Sequence, residues 1–438
     1  MCRWWLVIVC VAVCSRQTEA QYGFGGHYGG GSGSAHGVWS GAIFGCIRGH
    51  NDHAVAGVYS SAECQRMCFT RFCDVTIAQY RLCRLKLLQT YIIAVSRPEH
   101  VEAVLKDTDN IKKGWMYMYL MPWFGNGLLT SNGREWHYQR RLLTPAFHFA
   151  ILNEFLPTIN ERATELVAKI RQLTADEIDT KPIDVCPLIT LCTLDVICET
   201  AMGISINALQ NPEHSYVTAI ETFSRVTVDR MTHPLEWLDC LYRLQPQGRQ
   251  YFRALSVLHK FTEQVITERE QHASATDSER TDAVGSGRKR LRAFLDLLLE
   301  MKCDGKLSEQ EVREQVDTFM FEGHDTTATG IMWALYCLAR NAHAQRRARI
   351  EIESVLGDKE RPTMNDVSKM KYVECCIKEA LRLYPSVPLI GREVTKPLKL
   401  DEEHTLPVGA SVVVVFPLLH RSADHYSEPD HGITQLHW

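Results

Sequence analysis

The chain has 438 residues, a formal net charge of −4, and 23% charged against 45% hydrophobic residues. That is an ordinary globular composition, long enough for one large domain or about three average ones, and it excludes collagen-like, coiled-coil and wholly disordered chains. No basic excess points to nucleic acid, and no apolar run reaches the ~18 residues of a membrane-spanning helix.

Residues 1–20 read as a targeting segment. Arg3 precedes the apolar run Trp4–Cys14, and the small residues Thr18 and Ala20 follow. This is a secretory-signal pattern with cleavage after Ala20, or else a short membrane anchor. Residues 21–45 are glycine-rich, and ordering them costs more entropy than their few apolar groups return. Cys46, Cys64, Cys68, Cys73 and Cys83 then crowd residues 46–88 in the manner of a short disulfide module. An odd number of cysteines leaves one thiol over or the module incomplete. The later thiols, from Cys186 to Cys376, stand among apolar neighbours and read as buried.

A long body follows over residues 89–438. Tyr91–Val95 reads as a strand, and Ser96 as the N-cap of a helix with Pro98 in its first turn. Helices dominate from there, over Ala150–Leu173, Pro187–Gly203, Tyr251–Gln271 and Leu291–Met301. The polar stretch Ala273–Arg290 reads as an exposed loop. A capping box, Ser308 with Glu311, opens the longest helix, which runs to about Arg340. Its middle is unusual: Gly323 costs roughly 1 kcal/mol relative to Ala, and Thr326 and Thr327 are stiff, with hydroxyls that compete for backbone carbonyls. Phe319, Gly323 and Thr326 share one face with Glu322 beside them. Either the helix passes over a cofactor, with Gly323 permitting close approach, or it crosses a polar seam. A further helix, Met370–Tyr384, ends at Pro385 and carries Glu379 and Arg382 at a spacing that lets them pair. Leu398–Leu400 and Ala410–Val415 read as strands around a turn at Leu406–Gly409. The fold class is mainly α with small β-sheets (α+β).

The motifs Trp136-His137-Tyr138-Gln139-Arg140, Glu322-Gly323-His324-Asp325-Thr326-Thr327 and Glu379-Ala380-Leu381-Arg382, in that order, resemble a cytochrome P-450. The resemblance is to the fourth family, the branch of fatty-acid ω-hydroxylases and many insect enzymes. Gly127–Ser131, Leu142–Phe149 and Leu383–Pro388 add to it, and it covers about residues 91–430. The resemblance implies the P-450 fold with haem as cofactor. Trp136, Arg140 and Arg392 would bind its propionates, because the planar guanidinium fork matches a carboxylate. It implies that Asp325 and Thr326 form a proton-delivering acid–alcohol pair and that Glu379 and Arg382 form a buried structural pair. Glu322 stands where this branch can form an ester to a haem methyl group, and Gly323 lies next to it on the cofactor side.

Two departures accompany the resemblance. Family members ligate iron with a cysteine in a glycine-rich loop near the C-terminus, whereas no cysteine follows Cys376 here and His431–Trp438 leaves the family pattern. The body therefore reads as an incomplete P-450 with no metal ligand of its own. At the other end, the signal-like, glycine-rich and cysteine-rich segments replace the usual anchor and first strands. The implied activity is hydroxylation of a lipid-like, small apolar substrate, with electrons from NADPH through a reductase, at the endoplasmic reticulum membrane and without nucleic acid. The alternatives are a catalytically inactive truncated product lacking the axial cysteine, or a secreted binding protein acting through Cys46–Cys83.

Overall fold

The computed structural model describes residues 82–87, 90–147, 153–174, 183–211, 214–233, 236–280 and 293–430. The signal-like and glycine-rich segments, Cys46 to Cys73, and residues 431–438 lie outside the described residues.

Runs of β-branched residues build one small sheet. Strands β1 (Leu82–Leu87) and β2 (Thr90–Val95) form an antiparallel hairpin. The sheet therefore begins ahead of the boundary read at residue 89, and Cys83 is a free thiol within it. Strand β6 (Ser411–Val415) pairs parallel with β2 and antiparallel with β3 (Leu389–Glu393), in the order β1-β2-β6-β3. The central strand carries a run of valines because both its faces are covered. A second hairpin joins β4 (Leu398–Lys399) to β5 (Thr405–Leu406).

Helix α1 (Pro98–Lys106) packs its buried face, His100, Val101 and Val104, beside this hairpin. Its N-cap is Arg97, without a side-chain hydrogen bond, and Ser96 is buried before it. The expected Ser96 cap is thus displaced by one residue, because Pro98 takes the first helical position.

The helical bulk comprises α2 (Met121–Phe124), α3 (Gly133–Leu143), α4 (Leu156–Leu173), α5 (Cys186–Ile197), α6 (Ser215–Thr232), α7 (Asp239–Leu244), α8 (Pro246–Arg280) and α9 (Phe294–Cys303). It continues with α10 (Glu309–Arg340), α11 (Ala342–Leu356), α12 (Met364–Lys369), α13 (Lys371–Leu383) and the short α14 (Phe416–Leu419). Helix α8 runs past its expected end at Gln271 to Arg280, into the stretch read as a loop, because residues 273–280 hold no proline or glycine to stop it. The capping box at α10 is formed as expected: Glu311 N–H donates to Ser308 Oγ at 3.2 Å and Ser308 N–H to Glu311 Oε2 at 2.7 Å. Helix α10 is the spine of the molecule, packed against α5, α8, α13 and α2. No helix among the described residues is long and apolar enough to cross a membrane.

Candidate haem-binding site

The site begins with how the loop before α3 is fixed to α10. Asn126 N–H donates to Glu314 Oε2 and Leu128 N–H to Gln315 Oε1, each at 3.1 Å. Gly127 lies so close to α10 that a Cβ there would stand 2.3 Å from Thr318 Oγ1. Gln139, buried on α3, holds the same loop by donating to the Asn126 carbonyl at 2.8 Å and accepting from Ser131 Oγ at 3.0 Å. With Gln139 turned inward, Trp136 is left half-buried and Arg140 exposed, one helical turn apart. They border a surface hollow of about 750 Å³ that Arg134, Asp107 and Ile111 also line.

A second segment crosses from the other side. Gly114 N–H donates to the Gly391 carbonyl at 3.1 Å and Glu393 N–H to the Lys112 carbonyl at 2.9 Å. This close approach needs glycine, since a Cβ on Gly114 would sit 3.1 Å from the Gly391 carbonyl carbon. The resulting bridge sets Lys113 opposite Arg392. Lys113 Nζ lies 5.8 Å from the ring centres of both Trp136 and Tyr117. Burial, then the nearby Arg392 charge, pull the Lys113 ammonium down to about 8, against the attraction of Glu322. Lysine 112, by contrast, has its own carboxylate, Glu393, at 2.8 Å.

The structure therefore brings Trp136, Arg392 and Glu322 around Lys113, a residue that sequence reasoning missed. No local signal marks Lys113, because its role comes from a pairing with β3 that lies far along the chain. Among the described residues, the Arg392 guanidinium donates to the neighbouring Gly391 carbonyl alone, at 3.3 Å.

On α10, burial pushes the Glu322 carboxyl up to about 7, with Lys113 opposing. Thr326 Oγ1 donates to the Glu322 carbonyl at 2.7 Å, so the hydroxyl is held along its own helix. Asp325 is buried beside it. His324 points away into the core: its Nδ1 pairs with the Met320 carbonyl at 2.7 Å, and burial lowers the imidazole to about 4, so it is neutral. The room left by Gly323 faces helix α5. A Cβ there would meet Ile197 Cδ1 at 2.6 Å, so this glycine lets α10 and α5 pack together.

Glu379 and Arg382 do pair. Arg382 Nε and Nη2 each donate to Glu379 at 2.7 Å, and Nη1 donates to the carbonyls of His420 and Pro429 at 2.7 and 2.9 Å. Tyr426 lies against the guanidinium, 4.5 Å from its ring centre. The pair clamps residues 420–429 onto α13.

A long capped helix crossing a mainly helical body, a small mixed sheet and an Arg–Glu clamp define a cytochrome P450. The family's sequence pattern matches residues 57–431, and the chain belongs to the cytochrome P450 family. It is similar to members of the fourth family. Cytochrome P450 4V2 of Homo sapiens is 42% identical over 344 residues, which cover 77% of this chain and 65% of that protein. Cytochrome P450 4d1 of Drosophila simulans is 40% identical over 345 residues, covering 77% of this chain and 67% of that protein. Cytochrome P450 4d2 of Drosophila melanogaster is 38% identical over 358 residues. The chain thus spans about two thirds of the length of the relatives it matches, 65% in the human case.

The family implies haem, and the donor set here fits its carboxylate edge: Lys113 lies beside the Trp136 indole and opposite Arg392, and among the described residues no carboxylate is hydrogen-bonded to either cation. The four buried thiols do not fit its iron. Cys192, Cys198, Cys337 and Cys376 are buried, and desolvation raises all four, so each is held as a thiol and not as the thiolate an iron ligand requires.

Proposed function

We propose that the chain supplies the haem-edge and oxygen-side walls of a monooxygenase that hydroxylates a lipid-like substrate, fatty acids being the leading class. Electrons would come from NADPH through a reductase at the endoplasmic reticulum membrane. The observation that carries this reading is the Lys113–Arg392 cation pair beside Trp136. Burial first, and then repulsion from the Arg392 charge, lower Lys113, and an anion between the two cations relieves that repulsion.

In this reading Trp136, Arg140, Arg392 and Lys113 bind the haem propionates through charge-assisted hydrogen bonds. Haem, when bound, activates dioxygen for insertion of one oxygen atom into a C–H bond. The chain's own residues manage protons and water. Asp325 holds a proton source within the core, and Thr326 keeps acceptor lone pairs while donating to the Glu322 carbonyl. Glu322, poised near neutrality, faces Lys113. In the haem-loaded enzyme supplied with a reductase, Thr326→Ala should preserve NADPH consumption while peroxide replaces product. Unchanged product per NADPH would reduce Thr326 to a helix residue.

The test of the site itself is a haem titration of this 438-residue chain, followed by quenching of tryptophan fluorescence. Arg392→Ala and Arg140→Ala should each weaken binding at least tenfold, since a hydrogen bond to a charged group is worth ~1.5–3 kcal/mol. Haem dimethyl ester, whose propionates carry no charge, should bind the native chain as weakly as haem binds the variants. Equal affinity for haem and its ester would overturn the reading. With the buried Cys192, Cys198, Cys337 and Cys376 held as thiols by desolvation, none of these four should give the reduced carbon monoxide complex a thiolate-type band.

A further inference from the structure

Three side chains from two separate elements converge beside the β4–β5 hairpin. His100 comes from the buried face of α1, and Asp401 and His404 come from the turn joining β4 to β5. His100 is 1% exposed and lies beside an apolar cluster of Val101, Val104, Leu398, Leu400 and Leu406. An imidazole there costs desolvation unless it gains a strong partner. Its Nε2 lies 2.6 Å from Asp401 Oδ2, while its Nδ1 has no hydrogen-bond partner among the described residues. His404 Nδ1 approaches the same carboxylate, 2.8 Å from Oδ1 and 3.0 Å from Oδ2. The two rings meet edge to face with centroids 6.0 Å apart.

We propose that His100, Asp401 and His404 form a binding site for a divalent transition metal, best suited to zinc, that joins helix α1 to the β4–β5 hairpin. The ligand types are those zinc takes, two imidazole nitrogens and one carboxylate oxygen. Their ligand atoms all lie within 4.8 Å of one another. Zinc bonds of ~2.0–2.1 Å at tetrahedral angles require ligand atoms about 3.3 Å apart, so the 2.6 and 3.0 Å edges on Asp401 Oδ2 must open by roughly 0.7 and 0.3 Å while the two imidazoles, within 4.8 Å, close on one another.

The division of labour on Asp401 favours the same picture. Its Oδ1 accepts the Glu403 and His404 N–H groups at 2.9 and 2.8 Å, which fixes the carboxylate on the turn. Its Oδ2 receives no backbone donor and faces His100 and His404. Asp401 and His404 are 30% and 42% exposed on their side chains, so an ion has an entry path and a fourth position for water. Held by Nε2 across 301 residues of sequence, the clip would close one of the longest loops in the chain.

The test uses the 438-residue protein, stripped of metal by a chelator, with its thiols alkylated so that cysteines cannot compete. Zinc chloride is titrated by calorimetry and cobalt chloride by visible absorption. The expected result is one equivalent bound, a cobalt spectrum of tetrahedral nitrogen–oxygen ligation, and a melting temperature that rises with zinc. Affinity should fall at least tenfold in His404→Ala and in Asp401→Asn, two partly exposed positions whose loss leaves the core packed. Absence of stoichiometric binding, or equal binding by wild type and both variants, would show a hydrogen-bonded triad only and overturn the proposal.

Discussion

Two arginine-centred regions of this protein use the same chemistry for opposite ends. At Arg382, all three guanidinium nitrogens are met from within the chain: Nε and Nη2 donate to Glu379, and Nη1 donates to the carbonyls of His420 and Pro429. At Arg392, one weak contact to a neighbouring carbonyl is all the described protein offers, and another cation, Lys113, stands opposite. The first arginine is a fastener, and the second is an unfilled demand for negative charge. The difference separates residues that hold a P450 together from residues that hold something else.

The comparison breaks most readily at the clamp. Glu379→Ala leaves Arg382 charged and short of its carboxylate in a site where its side chain is only 10% exposed. Removing one partner of such a pair costs ~3–5 kcal/mol, enough to be read as a collapse of the urea midpoint. A loss below ~1 kcal/mol would place the pair among surface ion pairs.

Gly323→Ala tests the neighbouring spine. The new methyl meets Ile197 at under van der Waals distance, and overpacking of this kind costs ~1–3 kcal/mol. Adding Ile197→Ala should restore most of that loss in thermal melts. If the double variant is no better than the single one, the glycine serves something other than the α10–α5 contact.

A pH series sharpens the electrostatic side. Burial raises Glu322 from 4.5 to about 7, so the folded chain holds this proton more tightly than the unfolded chain. Its contribution is complete below about pH 4.5 and is lost as pH rises through 7, with an upper bound of ~3 kcal/mol. Asp317, buried among Trp123, Thr262 and Arg313, is also raised to about 7 and titrates in the same window. Glu322→Gln should therefore flatten the slope of unfolding free energy against pH between 4.5 and 7 without abolishing it. An unchanged slope would mean that Glu322 is solvated.

The smallest effect is expected at Arg392. With no carboxylate to lose, Arg392→Ala should shift stability by less than ~0.5 kcal/mol while haem affinity drops. A large loss of stability would turn this arginine into a second fastener and erase the contrast with Arg382.

Much of this protein follows from local spacing in the sequence. The Ser308–Glu311 box and the Glu379–Arg382 pair are three residues apart, and a helix brings such residues together whatever surrounds it. The order of the P450 motifs, the mainly α class and the strands at residues 91–95 and 410–415 rest on the same local periodicities. What depends on distant partners was out of reach. Ser96 gave way to Arg97 as the helix cap because Pro98 set the first turn. Gly323 proved to be shaped by Ile197 on another helix. The facing of Lys113 and Arg392, and the meeting of His100 with Asp401 and His404, exist only once β3 and the β4–β5 hairpin have docked on segments from the other end of the body. Local order in the chain carries the helices and their caps, because short-range geometry is the same in every context. Tertiary structure alone decides which charges are matched and which are left facing one another, because that depends on register between segments that sequence spacing does not relate.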